Sequence, residues 1–330
     1  MREIVTLSPG RDGLKVEALL QKNGLRLARG LTVLLGAVEG ETLVGCAGRR
    51  ENVIECAAVE PSAQGEGILA ALVTRLVTDI RLLGYEGAFV FTKPETAPKF
   101  CSLGFCPVAE TRDAALLYSR RNAVETWAAG LTPPSGGLPR GCVVMNANPF
   151  TRGHRYLIER ALDLCGGLYV LVVETEASRF SFPDRLRLVR EGTADLNRLT
   201  VCGAGPFLIS RATFPDYFLK RPGETARVHG ELDAAVFAGR VAPALSVTAR
   251  FLGSEPTDPL TAAYNGALLR TLPPAGISVT VLDRLRVNGA PVSAARVRAL
   301  LDEGRWEALR PLVPESTFRF FMERKEADRP

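Results

Sequence analysis

A chain of 330 residues, 46% hydrophobic and 23% charged, has the size for two domains and the balance of a soluble protein with sizeable cores. Its formal charge of +5 rests on arginines spread along the whole length, with no dense basic or basic–aromatic stretch, so a nucleic-acid partner is not expected. No apolar run approaches the roughly 20 residues that span a bilayer, and the charged opening MREIVTLSPGRDGLKVEALL lacks the apolar core of a secretory signal, so the expectation is a cytoplasmic protein without membrane contact.

From the N-terminus, residues 32–37 and 43–48 read as a strand pair and 53–59 as a third strand. A glycine-containing loop then leads into a strongly apolar helix over 68–82, and 87–92 reads as another strand. The stretch VIECAAVEPSAQGEG (53–67) with its helix resembles the acetyl-CoA-binding motif of GNAT acetyltransferases, where a Q/R-x-x-G-x-G/A loop wraps a pyrophosphate with backbone amides. Gln64, Gly65 and Gly67 fit that loop, Leu69 departs where Gly or Ala is usual, and FCSLGF (100–105) matches the family's aromatic-x-x-x-Gly-Phe element. The resemblance implies a GNAT-like α/β domain over 1–125 that binds acyl-CoA or pantetheine. No convincing general base stands out in it.

Prolines and glycines crowd the end of the next segment, TPPSGGLPRG, and mark a linker over 126–140. Beyond it the pattern changes to longer βα units. Residues 142–146, 168–173, 199–202 and 279–282 read as strands, and 153–164, 184–196 and 293–301 as helices. The run at 168–173 is apolar without interruption, as a central parallel strand covered on both faces would be. Alternating βα order predicts a second domain over 141–330, a doubly wound, Rossmann-like parallel sheet with its ligand at the carboxyl ends of the strands. Seven cysteines, none in a C-x-x-C pair, read as reduced thiols, mostly buried, with no metal site.

The segment most directly tied to chemistry is CVVMNANPFTRGHRYLIERA (142–161). A strand runs into a loop of Asn146, Asn148, Pro149 and Phe150, and Thr151-Arg152-Gly153-His154 opens a helix. Thr151 suits an N-cap, Gly153 permits close approach of a ligand to the backbone, and His154 falls in the first turn, where free N–H groups favour an anion. An imidazole there can donate to a phosphate oxygen as charge builds in a transition state.

This segment resembles the T/H-x-G-H signature of the nucleotidylyltransferase superfamily, which transfers nucleotidyl groups with release of pyrophosphate. The superfamily's second signature, I-S-S-T-x-I-R, has its counterpart in VSAARVR (292–298): Ser293 and Arg298 match, while Ala294 and Ala295 lack the usual hydroxyls. Ser293, Arg296 and Arg298 are then the expected grip on the leaving pyrophosphate, for which arginine's planar fork is suited.

MNANPFTRGHRYLI (145–158), SRF (178–180), ISRATFP (209–215), APALSVT (242–248), GSEP (253–256) and VSAARVRALL (292–301) together resemble the citrate lyase ligases. That family's loop accommodates Ala147-Asn148-Pro149, where the wider superfamily often has F-D-P. The resemblance implies an AMP-forming acid–thiol ligase. It activates acetate as acetyl-AMP with ATP and Mg²⁺, then acetylates the dephospho-CoA-derived prosthetic thiol of the citrate lyase acyl carrier subunit. Thr151, His154 and Arg298 become the catalytic candidates, and Asn146, Asn148, Pro149, Phe150 and Gly153, with Ser293 and Arg296, are expected to touch ATP. Gly253, Ser254 and Glu255 resemble a nucleoside-contacting G-x-D segment, and Ser178 and Arg179 are candidates to face the substrate. The GNAT-like domain, through Gln64, Gly65 and Gly67, is expected to hold the carrier's pantetheine arm. Three rivals remain: a GNAT acetyltransferase with a nucleotide-sensing C-terminal domain, a non-catalytic nucleotide-binding regulator, and an adenylyltransferase acting on a phosphopantetheine-like acceptor.

Overall fold

A computed structural model describes residues 2–174, 178–208, 214–219, 224–255 and 259–327. The chain folds into two units, one of Met1–Ala123 with Phe214–Ala235, the other of Val124–Thr213 with Val236–Pro330. Among the described residues no helix is long and apolar enough to cross a membrane.

In the first unit the elements run β1 (Arg2–Thr6), α1 (Pro9–Lys22), β2 (Val33–Glu39), β3 (Thr42–Arg50), β4 (Val53–Val59), α2 (Ile68–Leu82), β5 (Phe89–Thr92), α3 (Ala97–Cys101), β6 (Cys106–Glu110) and β7 (Ala115–Tyr118). They form a seven-stranded sheet of order β1-β2-β3-β4-β5-β7-β6, antiparallel except where β4 lies parallel to β5. That parallel pair is the feature that makes a site. The two strands pair only at Val53 with Phe89 and Ile54 with Val90, and Cys56 then takes a positive φ of 56° that turns β4 off its course. The gap beyond is a cleft of about 400 Å³, with the start of α2 on its rim. Ile68, Leu72, Val73, Leu76 and Ile80 recur at helical spacing and are the buried face of α2. The helix seats closely because β3 offers Gly45, where a Cβ would come 2.6 Å from Ile68 Cγ2.

Helix α4 (Ala123–Ala129) starts at the boundary between the units and runs into the stretch expected to be linker, over 126–129. There follow β8 (Arg140–Met145), α5 (Arg152–Leu162), β9 (Gly167–Val172), α6 (Phe182–Glu191) and β10 (Leu199–Gly203). Later come α7 (Thr225–Val236), which but for its last residue belongs to the first unit, then α8 (Ala242–Leu245), β11 (Val247–Gly253), α9 (Pro259–Thr271), β12 (Ser278–Leu282), a small ribbon of β13 (Arg286–Val287) with β14 (Ala290–Pro291), α10 (Ala294–Asp302), α11 (Trp306–Leu309) and α12 (Glu315–Ala327). Five parallel strands lie in the order β10-β9-β8-β11-β12, the doubly wound sheet that the alternation of elements predicts. The chain winds outward from β8 on one side and from β11 on the other, so the crevice at the reversal lies beyond Met145 and Gly253. Strand β11 is not among the expected elements, although GSEP begins at its last residue.

The segment after β10 departs from the expectation that 141–330 form one domain. Tyr217 is buried with its hydroxyl donating to Phe91 O at 2.8 Å, and Arg227 pairs with Asp113 at 2.8 Å. These bonds between distant parts of the chain, invisible to local pattern, tie Phe214–Ala235 to the first unit.

The first unit also buries a carboxylate. Glu55 on β4 is 1% exposed, and burial pushes its carboxyl up to about 7 against the pull of Arg50, 3.2 Å away, with Asp216 adding to the rise. Unfolded, Glu55 ionises near the ordinary carboxylate value while the folded form keeps its proton, so stability falls as pH rises from about 4.5 to about 7 and is level above. Glu55→Gln should remove that slope. Urea unfolding should show the variant gaining on the native protein by about 2–3 kcal/mol between pH 4.5 and pH 8, at 1.36 kcal/mol per pKa unit.

Candidate active site

Beyond β8 the chain makes the loop Asn146–Phe150 with Ala147 at a φ of 48°, and Thr151 ends it as the N-cap of α5. Thr151 Oγ1 accepts from the His154 backbone N–H at 3.3 Å, and the Thr151 N–H donates to His154 Nδ1 at 3.1 Å, a reciprocal capping box. With Nδ1 used as an acceptor, the neutral imidazole carries its proton on Nε2, a tautomer assigned from this network. Burial, and secondarily the charge of Arg284, push the His154 pKa down to about 4, so the ring is a neutral donor at physiological pH. Phe150 lies parallel to it at 5.9 Å between ring centres.

Gly153 is the hinge between the two signatures. A Cβ there would meet Val292 O at 2.9 Å and Val292 Cβ at 3.4 Å. The glycine therefore admits this chain's own backbone at the place where a ligand was expected. Val292 leads into Ser293, the N-cap of α10, whose side chain accepts from Arg296 N–H at 3.2 Å. Arg298, one turn further, donates through Nη1 to Asn148 O. The starts of α5 and α10 are thus held together, and both present first-turn amides and positive dipole ends.

Cations and their partners fill in the rest. Arg296 Nη1 is buried with no hydrogen-bond partner among the described residues. Arg284, just past β12, donates through Nε to Ser254 O at 2.6 Å and through Nη2 to Glu255. Arg179 donates to Asp302 at 2.6 Å and to Arg298 O at 3.4 Å. Beneath the loop, Asn148 Oδ1 accepts from Phe180 N–H at 3.2 Å, and Asn146 Oδ1 accepts from Ser178 at 3.3 Å and from Arg185 at 2.8 Å.

The structure brings Asn146, Asn148, Thr151, Gly153, His154, Ser178, Arg179, Ser293 and Arg298 into one connected network. Several of the expected roles change. Phe150, expected to touch ATP, has no exposed surface; it packs at Gly192, where a Cβ would come 2.6 Å from its ring, and supports His154 from below. Pro149 is likewise buried. The Thr151 hydroxyl, 1% exposed, is occupied in orienting His154, and the Ser293 hydroxyl in capping α10. The carboxylate of Glu255, 7% exposed, is held by Arg284. Of GSEP, Pro256 lies outside the described residues, as do residues 209–213 of ISRATFP. Sequence reasoning missed Arg185 and Arg284. An arginine among the buried positions of α6, one turn before Leu188 and Val189, was a readable signal for the first. For the second it was an arginine two residues past a parallel strand.

In the first unit, Gln64, Gly65 and Gly67 do line the cleft, together with Leu69, Lys93 and Lys99. Gly65 and Gly67 have φ of 88° and 78° and face open space, so their backbone is accessible where a side chain would be strained. Gly67 caps α2 with no side chain, leaving the helix's first amides to the cleft.

Comparison with known proteins identifies the family. Residues 140–321 match the family model described as the citrate lyase ligase C-terminal domain. A [citrate [pro-3S]-lyase] ligase of Klebsiella pneumoniae is 40% identical over 95% of this chain and 93% of its own length. One from Escherichia coli K12 is 36% identical over 98% of this chain and 94% of its own. Among solved structures, N-acetylglutamate synthase from Neisseria gonorrhoeae is 21% identical, covering 36% of this chain and 35% of its own, with a TM-score of 0.31, a likeness on which no conclusion rests. Identity at this level over nearly the whole length, with a family model that spans both the α5 and the α10 segments, establishes that the chain belongs to the citrate lyase ligase family.

Proposed function

We propose that this protein is an AMP-forming acid–thiol ligase that activates acetate with ATP and acetylates the prosthetic thiol of the citrate lyase acyl carrier subunit. The relatives that match over nearly the full length are ligases acting on citrate lyase, which does not favour the acetyltransferase or adenylyltransferase alternatives. The observation that carries the reading is the convergence of the α5 and α10 N-termini, together with Arg296 Nη1 on α10, buried and unpartnered among the described residues. A buried cationic nitrogen without an acceptor is costly unless an anion completes it, and a triphosphate is an anion of suitable charge.

On this reading an acetate oxygen attacks the α-phosphorus of ATP in line. The bond to the β-bridging oxygen breaks, pyrophosphate leaves, and acetyl-AMP forms. The carrier thiol, losing its proton, then attacks the acetyl carbonyl and expels AMP. No covalent enzyme intermediate is required, because positioning and charge stabilisation supply the acceleration. His154 donates from Nε2 to a phosphate oxygen as charge accumulates there; Thr151 and Phe150 fix the ring. Arg296 and Arg298 meet the departing pyrophosphate. Glu255 and Asp302, the carboxylates standing among these arginines, are each taken by one, so Mg²⁺ would be carried mainly by the phosphates. In the first unit, the exposed amides at Gly65 and Gly67 hold the pyrophosphate end of the carrier's pantetheine arm.

Acetate-dependent ATP–pyrophosphate exchange, and AMP release only when carrier is added, test the reading directly; exchange with no short carboxylate would refute it. His154→Ala should slow exchange by about 10²–10³. The pH profile offers a separate check: with His154 neutral from about 4 upward, kcat for exchange should show no ionisation at the ordinary histidine value near 6.5. Gly67→Leu, strained at a positive φ and projecting into the cleft, should raise KM for the carrier at least tenfold while leaving acetate-dependent exchange within twofold of native. Equal loss of both activities would count against the arm-binding role.

A further inference from the structure

Arg185 lies on the buried face of α6 with no solvent exposure. A guanidinium stays charged and offers only N–H donors, so burying it requires oxygen acceptors on several sides. Nε donates to Phe180 O at 3.2 Å, and Nη1 lies 2.6 Å from Asn146 O, 2.7 Å from Val173 O and 2.8 Å from Asn146 Oδ1. These acceptors stand just past the carboxyl ends of β8 and β9 and on the chain leading into α6. One buried side chain therefore ties together three segments that border the crevice.

Its effect on Asn146 is the most specific. Ser178 Oγ and Arg185 Nη1 converge on the same side-chain oxygen. A guanidinium cannot accept, so the amide has one orientation: Oδ1 toward Arg185, Nδ2 away from it. Asn146 itself is exposed and begins the loop that ends at Thr151 and His154. An unrestrained asparagine presents either end of its amide; this one presents only its NH₂ group. We propose that Arg185 is a positioning residue, locking Asn146 so that its NH₂ stands as a fixed hydrogen-bond donor to an anionic oxygen of the nucleoside triphosphate. The proposal deepens the adenylation reading and rests on it. A donor already aimed needs no reorientation when the ligand arrives, which is where such groups gain their effect.

The test uses the full-length protein, with ATP binding measured by calorimetry in the absence of carboxylate and carrier, and exchange measured separately. Asn146→Asp keeps an oxygen for Arg185 and Ser178 but replaces the NH₂ with a second oxygen. It should leave the thermal midpoint unchanged or higher and weaken ATP binding at least tenfold; binding within threefold of native overturns the proposal. Arg185→Lys and Asn146→Ala, singly and together, supply the readout that a merely structural arginine would not move. If Arg185 acts through Asn146, Arg185→Lys weakens ATP binding in the native background and changes it less than twofold beside Asn146→Ala. Losses that multiply in the double variant overturn the proposal, and should Arg185→Lys fail to fold, the Asn146→Asp result decides alone. Native protein that binds ATP but exchanges no pyrophosphate defeats the ligase reading while leaving the positioning role to the binding data; native protein that binds no ATP defeats both.

Discussion

Where Gly153 would carry a methyl group, the carbonyl of Val292 stands instead, and the approach of those two backbones underlies the site. Any side chain at 153 would push the α10 segment away from the α5 segment. With the glycine, two capped helix starts face a common space and Arg298 can reach back to Asn148 O, a charge-assisted bond of about 1.5–3 kcal/mol. The caps contribute about 1 kcal/mol each, and their larger effect is geometric: Thr151 aims the imidazole, and Ser293 sets the direction in which Arg296 and Arg298 leave the helix.

That arrangement concentrates like charge. Two helix N-termini and several arginines share a small region, and the resulting positive potential favours an anion. The depressed pKa of His154 is driven first by burial, and the nearby charge of Arg284 adds to it. A second protonatable cation would add repulsion, whereas a neutral donor adds a hydrogen bond without it. Charge is left to arginines, which do not titrate, and aim to an imidazole held in one tautomer. Glu255 and Asp302 temper the field by pinning Arg284 and Arg179 rather than by opening toward a ligand.

The first unit builds its cleft from backbone. Its cleft exists because β4 and β5 part after two paired residues, with Cys56 in a conformation that bends β4 away. Glycines at positive φ and an uncapped helix start then expose N–H groups to the opening. Gly45 sets the depth at which α2 enters, since only a residue without a side chain leaves room for Ile68.

Local pattern was enough to determine much of this protein. The apolar run of β9, the spacing of buried positions in α2 and the Thr-x-Gly-His opening of α5 are properties of neighbouring residues, and their elements formed as expected. The residues of both signatures, and the glycines of the first-unit loop, could be read in sequence as candidate phosphate contacts. Only tertiary structure decided what each of them does. Phe150 reads as part of a binding loop and became a buried support for His154; Gly153 reads as room for a ligand and became room for Val292. Arg185 and Arg284 escaped notice, and Phe214–Ala235 changed units. The reason is common to all of these. Helix and strand formation depend on the backbone and side chains within a few positions, which sequence displays, whereas the partner of a buried arginine or the atom facing a glycine lies tens to hundreds of positions away and exists only once the sheet has brought it there.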